Sequence, residues 1–167
     1  MAKVHTVLVE LVQRPARRVI VKRGVSADDY FSYCVEVGCS IWDVLTGMPS
    51  LSGEPLCLWL PPAYVMPNTS VYVQGVDVPD DYAAPIPDGF DIISLPAASY
   101  FSFQGEPFKE ENFGRAIKAV RKAMKAFNPG RHGYAWDDEQ PRIQLEPRGE
   151  RGYIEMRAVR PLPERIP

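Results

Sequence analysis

With 167 residues, 46% of them hydrophobic and 24% charged, the chain has the size and balance of one globular domain over 1–167, long enough to bury its own core. A net charge of −2 and a pI near 5.7 exclude the basic footprint of a nucleic-acid binder. No apolar run reaches the roughly 20 residues that a membrane span needs.

The opening "MAKVHTVLVELVQRP" enters an alternating strand directly, with no signal-peptide core or cleavage site. Cys34, Cys39 and Cys57 are odd in number and lack C-x-x-C spacing, which fits reduced thiols in a cytoplasm. Two strands are expected first, over residues 4–12 and 17–24, with a turn at Pro15. One long helix is then expected from Ser26 to Gly47. Ser26 is placed as its N-cap, with Asp29 three residues on, and Tyr30, Cys34, Val37, Ile41 and Leu45 recur at helical spacing. The apolar piece "LCLWLP" follows, then a strand in "TSVYVQGVDV" and a connection rich in proline, of which the chain has 17.

The second half repeats the order. "FDIISL" and "SYFSFQG" are strands divided at Pro96. "KEENFGRAIKAVRKAMKAF" is a helix, acidic at its start and basic at its end, with Phe113, Ile117, Val120, Met124 and Phe127 as its apolar stripe. The basic residues from Arg115 to Lys125 read as its solvated face. A polar loop, "RHGYAWDDEQP", leads to "RIQLEP" and "RGYIEMRAV", a hairpin around Gly149. The expected fold class is α+β. Two pseudo-symmetric β-α-β-β units form one antiparallel sheet, with two long helices on one face and a ligand groove on the other.

The groove comes from splitting the strands by parity. One set is Val71 and Val73, Phe101 and Phe103, Ile143 and Leu145, Ile154 and Met156, with the helices as its partner. The other is Ser70, Tyr72 and Gln74; Tyr100, Ser102 and Gln104; Arg142, Gln144 and Glu146; Tyr153, Glu155 and Arg157. This set holds no lysine, and Tyr and Gln join apolar bodies to hydrogen-bonding tips, which suits a ligand-facing surface better than a wet one. Glu155 keeps two readings: a carboxylate facing water, or one in a recess that pairs with a cationic ligand or handles a proton. Trp42 and Trp59 read as core. Trp136, in a polar loop, either walls the site with Tyr134 or anchors its own loop.

Nucleotide-binding glycine motifs are absent, His5 and His132 are too isolated for a zinc site, and there is no G-x-S-x-G elbow. What remains is aromatic and amide chemistry around one carboxylate.

The segments "RPARRVIVKRG", "YFSYCVEVGCSIWDVL", "TSVYVQGVDVP", "YFSFQGEPF", "GYAWDDEQPRIQLEP" and "RGYIEMRAV" resemble the GyrI-like small-molecule-binding family. That family also supplies effector domains of multidrug-responsive transcription regulators. The resemblance implies a groove with a glutamate from the last strand among aromatic residues, here Glu155 with Tyr72, Tyr100 and Tyr153. It implies recognition of flat, often cationic drugs. The chain starts at its first strand, so direct transcriptional control is not expected. "TSVYVQGV" and "GYAW" are most similar to a subgroup that hydrolyses cyclopropanoid DNA-alkylating compounds. In that reading Glu155 directs the water and Tyr100 hydrogen-bonds the developing phenolate. The expected ligand contacts are Trp42, Tyr72, Gln74, Tyr100, Phe103, Trp136, Gln144, Tyr153 and Glu155. No cofactor or metal is implied. The expected partner is a drug-like small molecule, without membrane or direct nucleic-acid contact, bound by a monomer or weak dimer in the cytoplasm. The alternative is a protein–protein regulator such as a DNA gyrase inhibitor.

Overall fold

The structure, a computed structural model, describes residues 5–164, so Val4 of the first expected strand lies outside it. Nine strands form one antiparallel sheet: β1 (Leu8–Arg14), β2 (Arg17–Arg23), β3 (Leu56–Trp59), β4 (Tyr72–Pro79), β5 (Asp91–Leu95), β6 (Ala98–Gln104), β7 (Tyr134–Trp136), β8 (Arg142–Leu145) and β9 (Ile154–Pro161). The helices are α1 (Tyr30–Val37), α2 (Ile41–Thr46) and α3 (Phe113–Ala126).

The strand order β1-β6-β9-β8-β3-β4-β2-β5 reads the same when the two halves of the chain are exchanged. In that exchange β1 answers to β5, β2 to β6, β3 to β8 and β4 to β9. The pseudo-repeat expected from the sequence is therefore present, with the first strand of each half added to the sheet of the other. β7, inside the segment expected to be a loop, pairs with β9.

Two short turns force this sheet to curl. β1 and β2 lie six strand positions apart, about 29 Å across a flat sheet at ~4.8 Å per strand. Only Pro15 and Ala16 join them, and three Cα steps span at most about 11 Å. Pro96 and Ala97 impose the same limit on β5 and β6. The concave side closes over Val19, Val21, Leu58, Val73, Ile143 and Met156, with Tyr64 and Val65 packed against them. At the seam the buried Arg17 donates from Nη2 to Tyr100 Oη at 2.9 Å.

Both helical regions sit on the convex face. Tyr33 of α1 and Ile41 and Leu45 of α2 pack on Ile20, Cys57, Tyr72 and Val76. Val120 and Met124 of α3 pack on Phe101, Phe103 and Tyr153, with Phe113, Ile117 and Phe127 completing the expected stripe. Two expectations are corrected here. Tyr72, Gln74, Gln144, Tyr153 and Glu155 lie beneath the helices, and Val73, Ile143, Ile154 and Met156 fill the inside of the curl. Phe103 pairs with Glu155, so Phe101 and Phe103 share the glutamate's face while Tyr100 points to the other.

The expected single helix is also two. Gly38 takes φ +95°, which L side chains rarely adopt, and separates α1 from α2. Asp29, rather than Ser26, is the N-cap: its carboxylate accepts from Ser32 N at 2.7 Å in a complete capping box. Ser26 donates instead through N and Oγ to Glu36 Oε1.

Candidate functional site

Strand register lines up a polar row through the middle of the sheet, under the helices. Glu155 on β9 stands opposite Gln144 on β8, Gln144 opposite Cys57 on β3, and Cys57 opposite Gln74 on β4. None of the four is more than 1% exposed. The pseudo-symmetry maps Tyr153 and Glu155 onto Tyr72 and Gln74, so the two halves present the same motif with one oxygen exchanged for an amide nitrogen. Tyr153 Oη donates to Glu155 Oε1 in a short bond, and Gln74 Nε2 donates to Tyr72 Oη at 3.2 Å.

Gly152 lets the chain pass close to Gly105 at the head of β9. Its φ is +96°, and a Cβ there would stand 2.1 Å from Gly105 O. The bare backbone lets Gly105 N donate to Tyr153 O at 2.9 Å and fixes Tyr153 at the head of β9. A bidentate pair secures the same hairpin, with Arg151 donating to both oxygens of Glu54 at 2.6 and 2.8 Å.

Two arginines reach Glu155, one from α3 and one from the start of β8. Arg121 of α3 donates from Nε to Oε1 at 3.0 Å. Arg142 of β8 holds its Nε 3.5 Å from Oε2, an ion pair without hydrogen-bond geometry. Both guanidinium groups lie over the indole of Trp59, 5.4 and 4.4 Å from its centroid, and Trp59 Nε1 donates to Asp28 O at 2.9 Å. Arg121 thus keeps 44% of its side chain exposed, as expected for the solvated face, while its guanidinium turns inward to Glu155.

The row is incompletely satisfied. Glu155 Oε2, Gln144 Nε2, Gln74 Oε1 and Arg142 Nε are all buried without a hydrogen-bond partner. Burial pushes the Tyr153 hydroxyl well above its ordinary pKa, and the Glu155 charge adds to the effect, so it stays a donor. Burial likewise drives Tyr72 upward and raises the Cys57 thiol to about 12. Burial disfavours the Arg121 cation, but Glu155 and Tyr153 outweigh this and hold its pKa above the usual value.

An aromatic cleft of about 590 Å³ opens beside this cluster, lined by Tyr30 and Phe31 from α1, Phe113 and Gly114 from α3, and Phe108. Phe113 is its hub, stacked on Phe108 at 5.3 Å and meeting Tyr30, Phe31 and Tyr153 at 5.8, 5.2 and 6.1 Å. One ring thus separates the cleft from the Tyr153–Glu155 pair. A larger cavity of about 660 Å³ lies on another flank of α3, lined by Thr6, Lys109, Arg115 and Ala119 among others. It shares Phe108 and Gly149 with the aromatic cleft; neither lining includes a residue of the polar row, and the aromatic cleft adjoins the row only through Phe113, which meets Tyr153.

Of the residues expected at the site, Tyr72, Gln74, Gln144, Tyr153 and Glu155 come together, with Phe103 directly across from Glu155. Tyr100 does not. It is bound to Arg17 on the concave side, so its hydroxyl and the Glu155 carboxylate are on opposite faces of the sheet. Trp136 packs with Phe101, Phe103 and Phe127 at the far end of α3, beneath Arg157, the position of a loop anchor. Trp42 lies 6.5 Å from Tyr30 on the cleft's α2 side, with its buried Nε1 unpartnered. Sequence reasoning missed Arg121, Trp59, Tyr30 and the hub role of Phe113. Arg121 follows Ile117 by four and Phe113 by eight, a spacing that places it at the border of the buried stripe.

No family model matches the chain, and no curated protein matches it. Solved structures do. SAV2435 bound to tetraphenylphosphonium superposes with a TM-score of 0.58 at 12% identity, over 91% of this chain and 93% of that one. The EcmrR C-terminal domain gives 0.56 at 12%, over 96% and 100%. EcmrR in a DNA complex gives 0.54 at 13%, over 93% of this chain and 58% of the longer regulator. At this identity the likeness is one of fold, and it is the fold that the GyrI-like resemblance implies.

Proposed function

We propose that this protein binds flat aromatic small molecules between α1 and α3, above the Tyr153–Glu155 pair, as a GyrI-like domain protecting against xenobiotics. The observation that carries this reading is the set of unpartnered buried polar atoms on Glu155, Gln144, Gln74 and Arg142, next to a cleft walled by aromatic rings. Buried polar groups cost about 1–3 kcal/mol each when nothing meets them, so this row favours a polar partner. A planar ligand stacks on Phe113, Phe108 and Tyr30 and offers its polar edge to the row. The tetraphenylphosphonium bound by SAV2435 on a similar fold supports the choice of a small-molecule ligand.

The test is a titration with planar aromatic compounds followed by tryptophan fluorescence, since Trp59 adjoins Glu155 through both arginines. Binding weakened about tenfold by Phe113→Ala or Glu155→Gln supports the reading; affinities untouched by both substitutions remove it. A second reading rests on Glu155 Oε2, the carboxylate oxygen without a donor. Held there, a water would be directed at an electrophilic ring such as a cyclopropane, and the product would gain the mass of water. A cyclopropanoid compound recovered unchanged after incubation refutes hydrolysis and leaves binding intact.

A further inference from the structure

We infer that Arg121 and Arg142 are specificity-determining residues that turn the cleft away from lipophilic cations and toward uncharged planar aromatics bearing an oxygen acceptor, such as a carbonyl or phenol. The inference rests on the binding reading above and names the ligand class of that site.

The charge count leads to it. Glu155 is wholly buried and is the only carboxylate in the polar row, while two guanidinium groups lie within 3.5 Å of its oxygens. The place that a ligand cation would take beside the carboxylate is already filled from within the chain. An arriving cation has to displace Arg121 from Oε1 and meet both guanidinium groups at close range, with like-charge repulsion opposing it. Asp29 at the start of α1 also faces Arg121, but its carboxylate is held by Ser32 N and Oγ at 2.7 Å each. It softens the positive rim without offering a free partner for a cation, and Glu110, the carboxylate that lines the cleft, is exposed, so water screens its pull on one.

The indole surface tells the same way. Trp59 is the aromatic face beneath the two arginines that pair with Glu155, which already stack over it at 5.4 and 4.4 Å. Cation–π attraction at that ring is therefore supplied internally. The donors left over favour an acceptor ligand: the Arg142 guanidinium donates no hydrogen bond among the described residues, and Gln144 Nε2 is buried and unpartnered. A carbonyl or phenolic oxygen entering from Phe113 completes both.

The experiment compares tetraphenylphosphonium with 1-hydroxyanthraquinone by calorimetry, on the wild-type chain and on Arg142→Met and Arg121→Met. The wild type is expected to bind the anthraquinone at least about tenfold more tightly than the cation, the scale of one displaced charge contact. Arg142→Met, which removes a group without hydrogen bonds, narrows that ratio, and Arg121→Met narrows or inverts it. A wild type that binds the phosphonium as tightly as the anthraquinone overturns the inference while leaving small-molecule binding in place, whatever the variants do. A chain that binds neither compound overturns the binding reading and the inference together. Unchanged ratios in a folded Arg142→Met protein also count against it.

Discussion

Arg121 Nε lies 3.0 Å from Oε1 of Glu155, a guanidinium 44% exposed at the side chain joined to a carboxylate with no exposure at all. The pair is asymmetric in solvation, and the consequences of breaking it depend on which partner is removed. Arg121→Met leaves Glu155 with Tyr153 as its one hydrogen-bond donor and Arg142, 3.5 Å from Oε2, as its remaining cation, and costs about 2 kcal/mol. Glu155→Gln leaves cations that can turn to water and costs about 1 kcal/mol. Urea denaturation of the two variants checks the order, and the double variant falls below Arg121→Met in cost because the stranded charge is gone.

The Glu54–Arg151 clamp makes the hairpin sensitive to acid. Burial alone raises the Glu54 carboxyl, but the hydrogen bonds from Arg151 and from Glu146 N outweigh it and hold the pKa below its ordinary value. A folded-state pKa below the unfolded one contributes stability above the unfolded value, roughly pH 4.3, and that contribution is lost as pH falls through the folded one. Melting temperatures measured between pH 7 and pH 3 should therefore fall less steeply in Glu54→Gln, which starts about 2 kcal/mol less stable at neutral pH.

The three thiols should react in the order of their access. Cys39 is exposed, Cys34 is half-buried with its thiol raised to about 11, chiefly by burial, and Cys57 is wholly buried with a thiol raised to about 12. Alkylation at pH 8 followed by peptide mass spectrometry is expected to label Cys39 first and to leave Cys57 unmodified until the protein is denatured. Early labelling of Cys57 would mean that the polar row opens readily to solvent.

Gly38→Ala places a side chain at φ +95° between α1 and α2. The expected cost is about 1–2 kcal/mol, read as a shift of the urea midpoint with an unchanged slope.

Much of this was legible in the chain. The two-fold order of elements, the apolar stripe of α3 and the alternation of Tyr153 and Glu155 against Ile154 and Met156 follow from periodicity alone. What parity cannot supply is the phase of one strand relative to the next. Tyr100 and Phe103 divide correctly between two faces, but only the pairing of Phe103 with Glu155 says which face is which. The curl was also hidden, because it arises from turns that join strands six places apart in the sheet. An apolar strand face looked like a partner for helices when it was the lining of the sheet's own concave side. Arg121 was read as solvated and is 44% exposed, but its pairing with a buried carboxylate was hidden, because a long charged side chain can leave a helix border in either direction.

The central claim is a place: the space between α1 and α3 above Glu155. Amide chemical-shift mapping with 1-hydroxyanthraquinone tests it most directly. The account predicts perturbations centred on Phe31, Phe113, Gly114 and Tyr153. Perturbations centred instead on Thr6, Lys109 and Arg115, along the larger cavity, would contradict it.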